Sequence, residues 1–453
     1  MTTDAKSQLS RMGLFDSRVP RYTSYPTAPH FRSQVGAAEM SDWVRAIPAG
    51  SAISLYVHVP FCRRLCWFCA CRTQGTRNLD TVRAYLAHLT AEIALLRAAL
   101  PEGVHLSRVH WGGGTPTLMD EHMIAELAAA IATLGPMTAD SEFSVEIDPN
   151  EIDEARLDAL VEAGMTRASI GVQDFDEAIQ QSIGRIQSYD VTRDVADAIR
   201  ARGITSLNAD ILYGLPMQTR ARITDSVQRL LSLSPDRVAL YGYAHVPWMS
   251  RRQSMIPSDK LPTPEERLEL FETARKLFLW DGYSEIGIDH FARKGDSMET
   301  AARTRQLRRN FQGYTDDRAE VLIGLGASSI SRFPQGYAQN QSGTRDYSTA
   351  IQEGRFATSR GYRFEGEDLL RARIIEALMC DFRVDAEELL RDYQVAPARL
   401  AELFGAAAAA FPGFADVTPL GFAIRPEGRP LTRIIARAFD AFELAASGHS
   451  SAV

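Results

Sequence analysis

The sequence predicts an α/β protein built on a barrel of parallel strands. Three observations lead there. From about residue 52, short apolar runs alternate with longer amphipathic ones, the pattern of parallel βα units. The alternation repeats six times over roughly 190 residues. Chemically unusual residues recur just after the apolar runs, where a parallel barrel carries its active site.

Taken in order, residues 1 to about 45 carry no strong period and read as an N-terminal arm or lid. The arm contains the extended, hydroxyl-rich segment Arg21-Tyr22-Thr23-Ser24-Tyr25-Pro26-Thr27-Ala28. Strands are expected at Ile53 to His58, Arg108 to Trp111, Phe143 to Ile147, Ala168 to Val172, Leu207 to Leu212 and Val238 to Tyr243. Helices are expected near 80–99, 121–133, 153–163, 175–183, 190–202 and 219–232. Gly164, Gly203 and Pro235 stand where a helix stop belongs. A further strand is expected within Ser284 to His290, followed by a polar stretch, 291–318, that reads as mostly loop. From 366 the pattern turns helical: Asp368 to Cys380, Ala386 to Asp392, Pro397 to Ala410, a short Phe414 to Ile424 segment and a last helix near 432–446. The expected division is an arm (1–45), a catalytic barrel with its extension (46–365) and a mainly helical C-terminal domain (366–453).

With 453 residues, 45% hydrophobic and 24% charged, the chain can bury a full-sized core. A formal charge of −7 argues against a nucleic-acid binder, which would concentrate positive charge. No apolar run approaches the roughly 20 residues of a membrane span, and the polar N-terminus lacks a signal core, so a cytoplasmic protein without a membrane partner is expected.

The chemistry is concentrated in the cysteines. Cys62, Cys66, Cys69 and Cys71 fall within one short run, and Cys380 is the only other. The C-x3-C-x2-C spacing of the first three can hold three irons of a cubane and leave the fourth iron open, which means reactivity at the cluster. A structural zinc site would need a second hook a dozen or more residues away, and none follows. Disulfides do not suit a large chain with five cysteines and no signal peptide. Cys71 could in principle be a fourth ligand, but C-x-C is awkward for one cubane, so it reads as a free thiol beside the cluster. Cys380 reads as a packed helix residue.

The other strand ends fit this picture. Tyr56 and His58 precede the cysteines and share one face of their strand. The run Trp111-Gly112-Gly113-Gly114-Thr115-Pro116-Thr117 lets backbone groups approach a ligand, and it lacks the Lys of a P-loop. Beside a three-cysteine loop it suggests a seat for the methionyl part of S-adenosylmethionine. Glu146 ends the third strand, where an acid can accept ribose hydroxyls. Gln173 ends the fourth. Asp210, among Ala209, Ile211 and Leu212, is costly to bury without a partner and so favours a ligand contact. Arg185 could meet a carboxylate, or could be a surface residue.

Together, C-x3-C-x2-C with its trailing x-C, the Trp111 to Thr117 run, Gly171-Val172-Gln173-Asp174-Phe175, Tyr213-Gly214-Leu215-Pro216, Asn310-Phe311-Gln312-Gly313-Tyr314-Thr315, Tyr337-Ala338-Gln339-Asn340 and the Arg21 to Ala28 arm resemble the radical S-adenosylmethionine (SAM) enzymes. Within them, nearly the whole chain is similar to the oxygen-independent coproporphyrinogen III oxidases of heme synthesis. The resemblance implies a partial (β/α)6 TIM-like barrel of the radical SAM type. It implies a [4Fe-4S] cluster on Cys62, Cys66 and Cys69 whose fourth iron binds SAM, and two SAM molecules side by side. Tyr56, Gly113, Glu146 and Ile330 would contact the first; Phe68, Gly114, Thr115, Gln173, Arg185, Asp210 and Ala244 would contact the second. Tyr56, His58 and Cys71 are the candidate catalytic side chains. Trp67 stands where the family would lead one to expect Tyr.

The implied reaction is an oxidative decarboxylation. Cleavage of SAM gives a 5′-deoxyadenosyl radical, which takes a hydrogen atom from a propionate β-carbon. Loss of carbon dioxide and one further electron leaves a vinyl group, and a second propionate follows, giving protoporphyrinogen IX. The implied partners are coproporphyrinogen III and a reduced donor of flavodoxin or ferredoxin type, with the enzyme a monomer. A heme-binding chaperone and a heme-opening radical methyltransferase share much of this pattern. The trailing x-C and the arm lean against the first, and the Asn310 to Thr315 and Tyr337 to Asn340 segments against the second.

Overall fold

The computed structural model of the chain describes residues 3–443. Six strands, β1 (Ala52–Val59), β2 (His105–Gly113), β3 (Met137–Ile147), β4 (Arg167–Gln173), β5 (Ser206–Tyr213) and β6 (Arg237–Gly242), pair in chain order and all run parallel. Parallel neighbours need crossovers, and amphipathic helices supply them: Leu79–Ala99, Glu121–Ala132, Glu154–Glu162, Tyr189–Ala201 and Arg220–Ser232, with the short Glu177–Ser182 before the fourth of these. Each starts where the sequence offers a cap. The side chains of Asn78, Asp120, Asp153, Asp176, Ser188 and Thr219 accept a backbone N–H of the first turn, a contribution of about 1 kcal/mol apiece. Leu55, Val57, Trp111, Val145, Ile170, Ala209 and Leu240 are buried within the strands, as in a sheet covered by helices.

The sheet continues on both sides of these six strands. Beyond β6 lies the antiparallel hairpin of β7 (Ser284–Ile286) and β8 (His290–Ala292), with β8 next to β6. Beyond β1 come β9 (Val321–Leu325), parallel to it, and then β10 (Ile330–Phe333), β11 (Gly336–Asn340) and β12 (Thr358–Arg363), each antiparallel to the last. The twelve strands form an open series, so the parallel barrel is incomplete, as expected of the partial (β/α)6 type.

Two local expectations are corrected. Residues 291–318 are not mostly loop: they contain the end of β8, a helix at Ser297–Arg303 and a small hairpin of Arg308–Asn310 with Gly313–Thr315. Asp296 is the reason the helix forms. It caps Met298 N at 2.7 Å and is gripped by the buried Arg237 at 2.7 and 2.9 Å, a partner 59 residues away that no local pattern reveals. The last helix, expected near 432–446, runs only over Thr432–Arg437. Asp440 ends the helical region by accepting from Phe442 N at 2.8 Å in a local turn, and residues 444–446 lie outside the described residues.

The C-terminal region combines helices Asp368–Asp381, Ala386–Asp392 and Pro397–Ala410 with a three-stranded sheet of Arg383–Asp385, Gly421–Ile424 and Ala415–Thr418. Its core includes Leu370, Ile374, Phe404, Phe422 and Phe439, and the N-terminal residues Leu9, Leu14, Tyr22 and Tyr25 belong to the same cluster. Tyr22 donates to Asp440 at 2.9 Å, and Ala441 N donates to the Tyr25 hydroxyl at 3.0 Å. The N-terminal arm is thereby tied to the C-terminal region. Among the described residues no helix is long and apolar enough to cross a membrane.

Candidate functional site

The C-terminal ends of β1 to β6 carry the chemistry. A cavity of about 500 Å3 opens at the opposite end, around Ser51, Ala52 and His105, and none of the candidate site residues lines it.

The cysteine loop and the glycine run are built as one unit. After β1 the chain turns through Pro60 to Cys62, while Gly114 N donates to Val59 O at 2.8 Å and Thr115 N to Phe61 O at 2.7 Å. Side chains would break this contact. A Cβ on Gly112 would lie 2.6 Å from Glu146 Oε1, on Gly113 2.4 Å from the His58 ring, and on Gly114 2.4 Å from Phe61 O. Gly113 also has φ +106°, which other residues rarely adopt. Gly114 is therefore demanded by close backbone approach and Gly113 by its φ and the His58 ring, whereas at Gly112 the Glu146 carboxylate would have to move.

Around them stand the polar strand-end residues. The Tyr56 hydroxyl is 3.0 Å from His58 Nδ1, and its ring stacks on His110 at 5.8 Å. His58 is buried, and its Nε2 meets Arg72 O at 3.2 Å, one residue past Cys71. Glu146 accepts from Gly113 N at 3.1 Å and pairs with His110 Nε2 at 3.3 Å. The Glu146 side chain nevertheless remains 43% accessible, so it faces open space. Desolvation by the surrounding protein works to raise the carboxyl's pKa, but His110 and the Gly113 amide outweigh that and hold it below the ordinary range. Asp210 accepts from Asn208 Nδ2 at 2.8 Å; burial, opposed by Asn208 and reinforced by Glu146, pushes it up to about 6. Ile330, which begins β10, reaches this end because Gly324 beside Tyr56 has no side chain. A Cβ there would meet the Ile330 backbone at 2.7 to 2.9 Å.

The Arg185 side chain is largely enclosed rather than solvated at the surface. Its guanidinium reaches Cys66 Sγ at 3.5 Å, Asp148 at 3.1 Å, Gly171 O at 2.9 Å and Gln187 at 2.9 Å. Gln173, at the end of β4, adopts φ +68° next to it. Trp67 lies over Gly184, where a Cβ would come within 2.7 Å of the indole, so the larger ring has room. Phe68 packs with Ile179, Ile183, Leu212 and Tyr243. Ala244 and Phe68 are joined by a residue the sequence did not disclose: buried Gln253 donates to Phe68 O at 2.7 Å and to Ala244 O at 3.0 Å, and accepts from Val246 N at 2.5 Å. Ser250 donates to Cys69 O at 3.1 Å and Arg252 to Cys71 O at 3.0 Å. These tethers come from 181 residues downstream and carry no periodic signal. His110, on β2, was likewise missed, although its place one residue before Trp111 pointed to the same strand end.

The donor set fits an iron-sulfur cluster. Cys62, Cys66 and Cys69 are free and half-buried, whereas Cys71 is exposed, with its N–H 3.4 Å from Cys69 Sγ. Among the described residues no three His, Cys, Asp or Glu side chains gather around one point to hold a single metal ion. A cubane requires something else, since each thiolate takes its own iron. Cys380 is buried in the helix Asp368–Asp381, away from the loop.

The fold is that of the radical SAM superfamily, whose family model matches residues 56–230. Beyond that core, the oxygen-independent coproporphyrinogen III oxidase of Paracoccus denitrificans is 64% identical over 99% of this chain and 100% of its own length. The one from Escherichia coli is 37% identical over 93% of both chains. The solved structure of the E. coli coproporphyrinogen III oxidase, described as a radical SAM enzyme, superposes with a TM-score of 0.88 at 34% identity, covering 94% of this chain and 100% of that one. The chain belongs to the oxygen-independent coproporphyrinogen III oxidase family.

Proposed function

We propose that the protein decarboxylates two propionate side chains of coproporphyrinogen III oxidatively, without oxygen, to give protoporphyrinogen IX. The observation that carries this reading is one continuous end of the parallel sheet on which the cysteine loop, the glycine cradle, Glu146, Arg185 and Asp210 converge, in a chain 64% identical to an enzyme of that name along its full length. Full-length relatives of this kind favour the oxidase over the heme-chaperone and heme-opening alternatives.

Cys62, Cys66 and Cys69 would hold the [4Fe-4S] cluster, and Tyr56, Gly113, Glu146 and Ile330 would bind the SAM on its open iron. Phe68, Gly114, Thr115, Gln173, Arg185, Asp210 and Ala244 would bind a second SAM. When bound, the cluster and SAM supply the carbon radical that starts the reaction. The protein's own part is positional. Glu146, held ionised by His110, suits ribose hydroxyls or an ammonium group. Arg185, already near the Cys66 sulfur, suits a carboxylate. The Tyr56 hydroxyl and the His58 ring form a hydrogen-bonded pair beside the glycine run and orient one another. Cys71 lies at the exposed edge. The same proposal keeps residues 1–45 as a lid, 46–365 as the catalytic unit and 366–453 as an appended domain, in a cytoplasmic monomer reduced by a flavodoxin- or ferredoxin-type donor.

The test is anaerobic incubation of the iron-reconstituted protein with coproporphyrinogen III, SAM and a reductant, with porphyrin products resolved chromatographically. Protoporphyrinogen IX is expected. SAM cleavage with no decarboxylated product refutes the reading.

A further inference from the structure

Acids outnumber bases in this chain, 57 to 50, yet none falls between Ala52 and Leu79 or between Val238 and Ser258. The first stretch contains the cysteine loop with Arg63, Arg64, Arg72 and Arg77, and the second holds Arg251 and Arg252. The fold joins the two. Ser250 donates to Cys69 O at 3.1 Å, and Arg252 donates to Cys71 O at 3.0 Å and to Thr73 Oγ1 at 3.1 Å. Arg72 and Arg251 are exposed next to these contacts, as are Ala70 and Cys71. Asp148 and Glu151, which approach the loop near Cys66, are already engaged by Arg185 at 3.1 Å and by Arg63 at 2.6 Å. The exposed edge of the loop is therefore positive on a protein whose formal charge is −7.

Large apolar side chains stand in water on the same segment. Trp248 is 54%, Met249 66% and Met255 49% exposed. Scattered apolar residues need no explanation, but three on one short segment mark a surface that another molecule covers. The segment is also held in place. Buried Gln253 bonds Phe68 O, Ala244 O and Val246 N, so the exposed side chains are presented on a fixed support. Arg18, from the N-terminal arm, lies 5.3 Å from the centre of the Trp248 ring and adds a further positive group. An apolar centre of Trp and Met with an arginine rim has the composition of a protein–protein interface.

We propose that Arg72, Trp248, Met249, Arg251, Arg252 and Met255 form the docking face for an acidic flavodoxin. This rests on the function proposed above, because a cluster on Cys62, Cys66 and Cys69 must receive its electron from outside the chain. The face bonds directly to the backbone of Cys69 and Cys71, so a carrier seated on it lies against the loop that would hold the cluster. Charge selects an acidic partner, which the arginines steer and orient. The apolar centre selects a flavin carrier over an iron-sulfur one, since the edge of a flavin ring is flat and partly apolar and packs on indole and thioether surfaces. In the exchange the flavin hydroquinone anion gives up one electron and becomes the neutral semiquinone. The cluster gains that electron, and no proton moves.

The test uses the iron-reconstituted protein with a labelled acidic flavodoxin, whose binding is followed by anisotropy at two ionic strengths. Bleaching of the cluster absorbance by flavodoxin hydroquinone is followed by stopped flow, with reduced methyl viologen as a small reductant that needs no docking face. Arg72→Glu and Arg251→Glu are each expected to weaken flavodoxin binding about tenfold, to flatten its salt dependence and to slow bleaching by flavodoxin but not by methyl viologen. Met249→Ser should weaken binding with the salt dependence kept. Arg97→Glu makes the same charge change on an exposed residue near the end of helix Leu79–Ala99 remote from the loop, and should leave binding within about twofold. An equal loss in Arg97→Glu, or none in Arg72→Glu and Arg251→Glu, overturns the docking face. So does self-association of the native protein that these two variants abolish, which would give the face to a second copy, or arginine-dependent reduction by a ferredoxin alone. Arginine-dependent reduction by flavodoxin in a protein that makes no protoporphyrinogen IX supports the face while refuting the proposed reaction.

Discussion

Gly113 donates its backbone N–H to Glu146 at 3.1 Å, while the space where its own Cβ would stand is filled by the His58 ring 2.4 Å away. One residue without a side chain thus couples an acid on β3 to a histidine on β1. Gly113→Ala must move one of them, besides straining a position at φ +106° at a cost of about 1–2 kcal/mol. The expected result is a folded protein with turnover down about 100-fold, because displacements near 1 Å at a reacting site cost that much. Thermal unfolding and anaerobic product formation measure the two effects, and near-native turnover would show that this cradle is not used.

The cysteines separate by exposure and partners. Cys66, half-buried next to Arg185, is expected to be essential, so Cys66→Ser should abolish the visible absorbance of the reconstituted cluster. Cys71, exposed at the edge of the loop, should not be needed for assembly, and Cys71→Ser should keep that absorbance largely intact. Loss of the cluster in Cys71→Ser would refute the three-ligand assignment.

Gln253 offers a test of the loop's tethering. Gln253→Leu strips a buried carbonyl of Phe68, one of Ala244 and the N–H of Val246 of their shared partner, a loss of about 2–3 kcal/mol. Turnover should fall more steeply than cluster content, since the bonds hold Phe68 and Ala244 rather than the cysteine thiols. Iron content and product formation measured on one preparation distinguish this from general unfolding.

What was legible in the sequence was what chain neighbours encode. Six apolar runs with capped helices between them announced β1 to β6, and the cysteine and glycine runs sat in two short stretches whose spacing is itself the chemistry. Ala244 and Ile330 came only through resemblance, since neither side chain has a polar atom to advertise a contact. Gln253 stayed hidden for a different reason. Its meaning arises from tertiary convergence, and alone it reads as a surface residue. The missed helix at Ser297–Arg303 has the same cause, because Asp296 is fixed by Arg237 from another strand.

Glu92 gives a prediction about pH. It is buried beneath the turn before β10, where it accepts from Gly326 N at 2.7 Å, Asn340 Nδ2 at 2.7 Å and the Tyr347 hydroxyl at 2.8 Å, so Asn340 of the Tyr337 to Asn340 motif supports the Ile330 turn from below. Burial outweighs these donors and pushes the carboxyl up to about 7. A carboxyl with a folded pKa above its unfolded value binds more protons when folded. Its stabilising contribution is therefore complete below the ordinary glutamate range and is lost as pH rises through about 7. Glu92→Gln cannot ionise, so the stability difference between native protein and variant should fall by about 3 kcal/mol between pH 4.5 and pH 8. Denaturant unfolding of both proteins across that range measures the slope. A difference that stays constant, or grows with pH, would mean that Glu92 is charged in the folded protein and that its three donors, not its burial, set its state.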